Sequence, residues 1–373
     1  MESIAFVFFG IIIVYSFFIG WIAYGFKKVI SFETTDLQAK TKFSIVVPFR
    51  NEAKNLPELL YSLSQLDYPR NLFEVVFVND ASHDNSVETI EQFPALSFSY
   101  QLIENDRKSN SPKKDAIATA INFVQNDWII TTDADCFVPQ DWLKTIDNYI
   151  QKHQPEMIVG AVSYLADESF LQQFQQMDLM SLQGATVGTF GIKKPFMCNG
   201  ANFAYSKNLF QDVNGFEGNN GIASGDDVFL LQKATKKYPE KVHYLKSDAN
   251  IVLTKPLDDF KSLFHQRVRW ASKTASYESG FGKVLALLVF AGNVAIVISF
   301  FLTLFSLFSF WNWYLLFAVK IFIDFLILYQ TGKFLQPNSV KFFLISNLFY
   351  PFFSVAVAVF SMFGKYEWKG RRF

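Results

Sequence analysis

Hydrophobic residues are concentrated towards the two ends of this 373-residue chain. Residues 4–26 are almost uninterruptedly apolar, and a helix of that length matches the hydrocarbon thickness of a bilayer. Lys27 and Lys28 follow the run, and positive charge is enriched on the cytoplasmic side of membrane helices. The pattern predicts a retained transmembrane anchor in residues 1–30, with the next domain in the cytoplasm.

The C-terminal third has three further apolar stretches. They lie near residues 284–306, 311–330 and 340–363. Three complete crossings would place the basic tail outside the cytoplasm, against the usual charge bias. Asn347 and Pro351 interrupt the last stretch, so a spanning segment and a re-entrant segment are both compatible with the pattern. We predict a C-terminal transmembrane region in residues 283–373, with three or four spans in the whole chain.

Between the membrane regions, short apolar runs alternate with amphipathic stretches. The strand-like runs are residues 43–49, 73–79, 98–103 and 128–132. The helix-like stretches lie near residues 55–66, 84–93, 113–125 and 139–151. This alternation predicts an α/β fold with a mainly parallel sheet, in a cytosolic domain of residues 43–256 that follows a polar linker at 31–42. Such sheets bind ligands beyond the carboxyl ends of their strands.

Composition excludes several classes of protein. Lys plus Arg and Asp plus Glu both number 34, and a zero net charge argues against nucleic acid as a partner. Cys136 and Cys198 are the two cysteines, and no Cys or His cluster has metal-ligand spacing. A disulfide framework and a zinc enzyme are therefore both disfavoured, and a reducing compartment is expected.

Polar clusters occur where the predicted strands end. Pro48 and Glu52 lie at the end of the first strand, Asp80 after the second, and Asp133 and Asp135 after the fourth. Alternate residues of an extended segment point the same way, so the last two can present their carboxylates to one Mg2+ or Mn2+ ion. An Asp-x-Asp triplet is nonspecific by itself, because Asp is common in turns and at helix N-caps. The order of the clusters carries the signal.

Two later motifs add to this series. Asp226 and Asp227 open a helix-like stretch, where they either complement the helix dipole or supply a general base. The run Gln266-Arg267-Val268-Arg269-Trp270 lies in a predicted amphipathic interface helix at residues 257–282. Arginines of such a helix also reach lipid headgroups without any catalytic role.

The ordered series VVPFRNE, VNDASHD, PKKDAIATA, TTDAD, CNGANFAY, GDDVFL and QRVRW resembles glycosyltransferase family 2. This family of inverting enzymes includes cellulose and hyaluronan synthases and bacterial lipid and polysaccharide transferases. The layout of anchor, domain and spans is also similar to that of ceramide glucosyltransferases. The resemblance covers about residues 43–275. It implies a GT-A fold, a nucleotide-diphosphate sugar as donor with uridine as the expected base, and a Mg2+ or Mn2+ cofactor.

The resemblance also implies roles for individual residues. Donor-binding roles fall on Pro48, Glu52, Asp80, Lys113, Asp133, Asp135, Gln266, Arg267, Arg269 and Trp270. Among these, Asp133 and Asp135 are the implied metal ligands, and Asp227 matches the catalytic base. Acceptor-side roles fall on Gly200, Ala201, Asn202 and Asp226. The chain departs from the family pattern at Pro112, where Gly is usual, and at Asp226, where Glu is more common.

The small number of spans favours transfer of one sugar to a lipid or lipid-linked acceptor in the membrane. With the catalytic domain in the cytoplasm, we expect an integral protein of a bacterial plasma membrane that contributes to the cell envelope. A processive polysaccharide synthase that builds its channel by oligomerising is the first alternative. A catalytically silent membrane protein that binds a nucleotide sugar is the second. Lys320 and Asp324 are spaced to pair on one helix, without an assigned function.

Overall fold

The computed structural model describes residues 2–94, 96–218, 225–273, 276–335, 341–363, 367–368 and 371–372. The helices are α1 (Glu2–Lys28), α2 (Leu56–Ser64), α3 (Ser86–Glu91), α4 (Pro112–Ile121), α5 (Trp142–His153), α6 (Phe170–Gly191), α7 (Lys207–Asp212), α8 (Asp226–Lys237), α9 (Phe260–Ala271), α10 (Gly280–Leu304), α11 (Phe310–Leu335) and α12 (Phe343–Phe363). The strands are β1 (Phe43–Phe49), β2 (Phe73–Asn79), β3 (Ser99–Glu104), β4 (Trp128–Thr131), β5 (Cys136–Phe137), β6 (Met157–Gly160), β7 (Val162–Tyr164), β8 (Phe203–Ser206), β9 (Val242–Leu245), β10 (Val252–Thr254), β11 (Glu367–Trp368) and β12 (Arg371–Arg372).

Contacts divide the chain into two units. The sheet unit comprises residues 30–165 and 195–255, and the helical unit comprises residues 1–29, 166–194 and 256–373. In this division the predicted linker at 31–42 groups with the sheet unit, and residues 166–194, which the sequence placed in the cytosolic domain, group with the helical unit. The cause is α6, which packs against α1 and α11.

The sheet unit is built on a seven-stranded sheet with the order β3-β2-β1-β4-β8-β6-β9. Only β8 runs antiparallel to its neighbours in this sheet, β4 and β6, while the other pairs are parallel. A smaller sheet has the order β5-β10-β7. The predicted α/β fold with a mainly parallel sheet is confirmed. Its central strands are mostly apolar because both faces of the sheet are covered, and all seven side chains of β2 are buried.

The segment predicted as a polar linker is attached to α5 along its length. Thr35 donates its backbone N–H to Asn148 Oδ1 at 2.9 Å, and Thr41 donates its N–H and its hydroxyl to Asp147 Oδ1 at 3.0 and 2.6 Å. Asp147 and Asn148 are fully buried. The polar residues of this segment are therefore the partners that buried polar groups of α5 require.

The described part of the helical unit contains four helices long and apolar enough to cross a membrane. They span Ser3–Lys28, Gly280–Leu304, Phe310–Leu335 and Phe343–Phe363. The last one, α12, is a continuous helix of 21 residues through Pro351. Asn347 donates its amide to Phe343 O at 2.9 Å, so this polar side chain is satisfied within its own helix. At about 1.5 Å per residue, α12 reaches roughly 31 Å, which is spanning length and leaves no break for a re-entrant turn.

Glycines bring α6 into backbone contact with α1. A methyl group added at Gly188 would lie 2.4 Å from the carbonyl oxygen of Ile22, and one added at Gly191 would lie 1.9 Å from that of Gly25. Glycine has no side chain to separate two helix backbones, so the two helices approach closely at these positions. This helix was not predicted, because its buried face carries Gln and Asp side chains and gives no apolar run.

A buried polar cluster joins α11 to α1. Lys320 Nζ lies 2.6 Å from Asp324 Oδ2, as their spacing suggested, and Tyr15 donates its hydroxyl to Asp324 Oδ1 at 2.5 Å. The Lys320 side chain is 4% exposed. An unpaired charge at this position in a spanning helix would be costly, so each partner of the cluster stabilises the other.

The close approach of α1 and α6 leads to a testable stability difference. Gly188→Ala should lower the thermal unfolding temperature in detergent by several degrees, because overpacking costs about 1–3 kcal/mol. Gly10→Ala is the matched control, since no atom lies within 4 Å of a methyl group added at Gly10. Both changes bring the same gain in helix propensity, so equal unfolding temperatures would contradict the packing described here.

Candidate active site

The loops that follow β1 and β2 are joined at the carboxyl edge of the sheet. Arg50 donates through Nη1 to the carbonyl oxygens of Asp80 and Ala81, both at 2.6 Å. His83 donates its N–H to Asn51 Oδ1 at 2.8 Å. Asn51 and Ala81 both have φ of 53°, a left-handed conformation that asparagine tolerates but that is strained for alanine. The hydrogen bonds between the two loops hold these residues in that conformation.

This edge contains Pro48, Glu52 and Asp80, three of the residues predicted to bind the donor. Pro48 is the half-buried residue of β1, and Glu52 and Asp80 are buried at 8% and 5% exposure. Asp80 Oδ1 accepts a hydrogen bond from Asn105 Nδ2 at 2.8 Å and lies 3.8 Å from Arg107 Nε. Asn105 and Arg107 follow β3 and were not singled out from the sequence. The loop after β3 thus adds polar groups to the same carboxyl edge of the sheet.

Lys113 connects the turn after β4 with the start of α8. Its ammonium lies 2.5 Å from Asp133 Oδ1 and 3.7 Å from Asp226 Oδ2. Burial acts to lower the pKa of Lys113, but the charges of Asp133, Asp226 and Asp227 and the hydrogen bond to Asp133 outweigh it and raise the pKa. The lysine is therefore a cation at neutral pH. Pro112, which departs from the family pattern, is the first residue of α4, where a missing N–H is tolerated.

Asp133 and Asp135 lie in a turn and not in an extended segment as predicted. The strand β4 ends at Thr131, and the N–H of Cys136 donates to Asp133 O at 3.2 Å. Both carboxylates remain half-buried on either side of the buried Ala134. Burial raises the pKa of the Cys136 thiol, and the charges of Asp135 and Asp133 raise it further. The turn thus keeps the two carboxylates close to one sulfur atom.

The acidic pair at the start of α8 has two different environments. Asp226 is 6% exposed, with its carboxylate towards Lys113, whereas Asp227 is half-buried. Asp227 accepts hydrogen bonds from the N–H of Gly200 at 2.8 Å and from the N–H of Val228 at 2.8 Å. Asp227 is thus the more accessible carboxylate, and its orientation is held by two backbone donors.

The segment before β8 packs directly against this pair. A methyl group added at Gly200 would lie 3.3 Å from Asp226 Oδ2, 3.3 Å from Asp227 Cβ and 3.4 Å from Lys113 Nζ. Ala201 is buried next to it. Gly200 thus allows the segment to approach two carboxylates and a lysine at once.

Asn202, also predicted on the acceptor side, has its side chain in the core. The side chain is 2% exposed, and its amide donates to Ala161 O at 2.8 Å and to Asn250 O at 2.6 Å. Its oxygen accepts a hydrogen bond from Trp142 Nε1 at 3.0 Å. These bonds give Asn202 a structural role, because they connect β8 to α5 and to the ends of β6 and β10.

The four predicted residues of the QRVRW run lie on α9 in the helical unit. Gln266, Arg269 and Trp270 are half-buried, whereas Arg267 is 5% exposed. Arg267 forms an ion pair with Asp178 of α6 through its Nε atom and lies 4.3 Å from the ring centroid of Trp270. The two arginines of the run therefore have different surroundings.

The carboxylates of the sheet unit suit a divalent cation. Among the described residues, no group of three or more His, Cys, Asp or Glu side chains is arranged to hold a metal. Mg2+ commonly takes one or two carboxylates together with substrate phosphates and water, and Mn2+ favours the same oxygen ligands. Asp133 and Asp135 fit that donor set. With Asp226 and Asp227 they outnumber the cationic Lys113, so a divalent cation is favoured electrostatically.

Lys114 is a further charged residue near the acidic pair that sequence reasoning missed. Its side chain is 1% exposed, and its ammonium lies 4.8 Å from the ring centroid of Phe229 on α8. Burial lowers the pKa of Lys114 to about 8, against the opposing charges of Asp226, Asp227 and Asp115. The sequence of α4 did not indicate that Lys114 is buried, because two adjacent lysines at the start of a helix are usually exposed to solvent.

The chain has clear similarity to known proteins in this region. Residues 44–213 match the family model described as "Glycosyl transferase family 2". The chain is 28% identical over 118 residues to the poly(ribitol-phosphate) beta-N-acetylglucosaminyltransferase TarS of Staphylococcus aureus, covering 32% of this chain and 20% of that protein. It is 33% identical over 133 residues to the undecaprenyl-phosphate 4-deoxy-4-formamido-L-arabinose transferase of Shewanella sediminis, covering 35% of this chain and 39% of that protein. The matched segments thus span less than half of these relatives.

A solved structure is similar over almost the whole chain. The mannosyltransferase PcManGT of Pyrobaculum calidifontis, in complex with GDP-Man and Mn2+, superposes with a TM-score of 0.59 at 17% identity. The match covers 97% of this chain and 99% of that one. Together with the family match, it confirms the predicted GT-A fold.

The buried Lys114 leads to a prediction on pH and stability. Its pKa in the folded protein, about 8, is below the ordinary value of 10.5, so the unfolded chain binds more protons between these two values. Stability rises with pH wherever the unfolded state binds more protons. The unfolding temperature of the wild type should therefore increase relative to that of Lys114→Met as the pH rises from 8 to 10. The exposed Lys236 provides the control, and Lys236→Met should follow the wild type; parallel curves for Lys114→Met would contradict the assignment.

Proposed function

We propose that this chain, which carries a glycosyltransferase family 2 domain in residues 44–213, transfers a sugar from a nucleotide-diphosphate sugar to a membrane-resident acceptor. One observation carries the proposal. The ammonium of Lys113 lies 2.5 Å from a carboxylate after β4 and 3.7 Å from a carboxylate at the start of α8. Groups for a diphosphate and groups for proton transfer are thus within a few ångströms of each other.

The donor would bind along the carboxyl edge of the sheet. Pro48, Glu52 and Asp80 are suited to hold the nucleoside, because their loops are fixed to each other. Lys113 supplies positive charge for the diphosphate. The similar mannosyltransferase is described with GDP-Man and Mn2+, which supports a nucleotide sugar and a divalent cation as ligands of this fold. We propose a UDP-sugar as donor, as the family resemblance implies.

A cation held by Asp133 and Asp135 would neutralise charge on the leaving diphosphate. Lys113 is positioned to stabilise the same charge, and Arg269 and Trp270 of α9 would add to it as the family resemblance implies. Asp227 would accept the proton of the acceptor hydroxyl. The acceptor oxygen then bonds to the anomeric carbon as the bond between that carbon and the diphosphate oxygen breaks, and the nucleoside diphosphate leaves. A single displacement of this kind inverts the anomeric configuration.

The acceptor is proposed to be a lipid or a lipid-linked sugar. Four helices of spanning length support a membrane location, and one relative is named for an undecaprenyl-phosphate acceptor. Lys27 and Lys28 in the last turn of α1 support a cytoplasmic position of the sheet unit. A product of one added sugar is expected from such an enzyme, whereas a processive synthase would produce a ladder of long polymer.

The central test uses membranes that contain the protein, a set of radiolabelled nucleotide sugars, and extraction of the lipid fraction. At least one donor should give labelled lipid carrying one added sugar. Asp227→Asn should lower the rate by about 10²–10⁴, because the variant retains size but loses basicity. The exposed Asp248 provides the matched control, and Asp248→Asn should retain activity. Near-normal transfer by Asp227→Asn would exclude it as the base.

Metal dependence is tested by removing divalent cations from the same membranes. An excess of chelator should abolish transfer, and added Mg2+ or Mn2+ should restore it, because two carboxylates and a diphosphate favour such ions. Asp135→Asn should raise the metal concentration that gives half-maximal activity by about tenfold or more, as expected when one of few ligands is lost. Full activity in excess chelator would exclude Asp133 and Asp135 as metal ligands.

A further inference from the structure

A buried ion pair connects the QRVRW run to α6. The guanidinium of Arg267 donates through Nε to Asp178 Oδ2, and both side chains are 6% exposed. Arg267 also donates through Nη1 to Gln266 Oε1, and its guanidinium stacks on the ring of Trp270. An arginine buried in this way is already neutralised by a protein carboxylate. The positive charge of Arg267 is therefore paired with the carboxylate of Asp178 on α6.

A second contact between α6 and the segment before α9 lies one turn away. Gln175 donates through Nε2 to Leu257 O at 2.8 Å, and its Oε1 accepts the N–H of Leu257 at 2.9 Å. Gln175 is fully buried. Because Gln175 and Asp178 are three residues apart on one helix, they lie on the same face. One face of α6 thus contacts both Leu257, which precedes α9, and Arg267 of α9.

The burial of α9 separates its residues into two sets. Leu263 and Arg267 are buried at the spacing of one helical turn, together with Val268. Gln266, Arg269 and Trp270 are half-buried. The helix therefore presents its two arginines differently, with Arg267 inside the helical unit and Arg269 closer to its surface.

We infer that Arg267 anchors α9 to α6 and is not a ligand of the donor diphosphate, and that Asp178 and Gln175 are positioning residues for Arg269 and Trp270. The inference rests on the proposed function for what α9 does, but the anchoring itself rests on contacts within the helical unit. The family resemblance implies donor binding for all four residues of this run. Our inference assigns Arg267 to anchoring instead, and leaves donor binding to the other three.

A double-mutant cycle on the full-length protein in detergent tests the anchor. Asp178→Asn and Arg267→Gln should each lower kcat by about tenfold or more, because each leaves one buried partner of the pair without its counterpart. The double variant should be more active than either single variant and should unfold at a higher temperature. Asp178→Glu, which retains the charge, should recover much of the activity. Additive losses in the double variant would overturn the inference.

Binding of UDP compared with UMP, or GDP compared with GMP, distinguishes an anchor from a diphosphate ligand. Arg269→Gln should reduce the preference for the diphosphate by about tenfold or more, the loss expected for a charged contact. The Asp178→Asn, Arg267→Gln double variant should retain that preference, and its loss would overturn the inference. If the wild type binds no nucleotide, the proposed function fails instead, while coupling between Asp178 and Arg267 in the unfolding temperature would still support the anchor.

Discussion

The ammonium of Lys113 holds the candidate site together. It contacts a carboxylate from the turn after β4 and another from the start of α8, two segments that are more than ninety positions apart in the chain. The charges of Asp133, Asp226 and Asp227 all act on this ammonium, and the half-buried lysine offsets part of the repulsion among these carboxylates. The remaining negative charge favours a divalent cation, whose binding also suits a diphosphate ligand. Structural stability and donor chemistry thus depend on the same charges.

The helical unit follows a different constraint. Four of its helices are long and apolar enough to cross a membrane, where no hydrophobic driving force brings helices together, so close packing and polar partners have to supply contact. Gly188 and Gly191 allow α6 to reach the backbone of α1. The pairs Lys320–Asp324 and Asp178–Arg267 place neutralised charges in the interior, where an unpaired charge would be unfavourable. Both devices fix the rotation of a helix as well as its position.

Sequence reasoning was accurate wherever a pattern has a local cause. The bounds of β1 and β2 were predicted to the residue, since their apolar runs end at polar loops. Four helices of spanning length agree with the apolar stretches, although the sequence alone left the last stretch open between a spanning and a re-entrant segment. It was wrong about the extended conformation of Asp133 to Asp135, because a turn depends on which backbone groups the neighbouring strand satisfies. It also missed α6, because Gln and Asp side chains on its buried face interrupt the apolar pattern that a buried helix usually shows.

The sequence by itself determined the α/β fold, the membrane segments and the order of polar clusters along the sheet edge, because hydrophobic periodicity and strand exits are local properties. Only the tertiary structure decided which charges meet. In the folded chain Lys113 contacts Asp133 and Asp226, and Asp227 is more accessible than its neighbour. Lys114 is buried beside Phe229, and Arg267 is paired with Asp178. The reason is physical: a charge acts over a few ångströms of space, and distances of that size between remote segments arise only when the chain is folded.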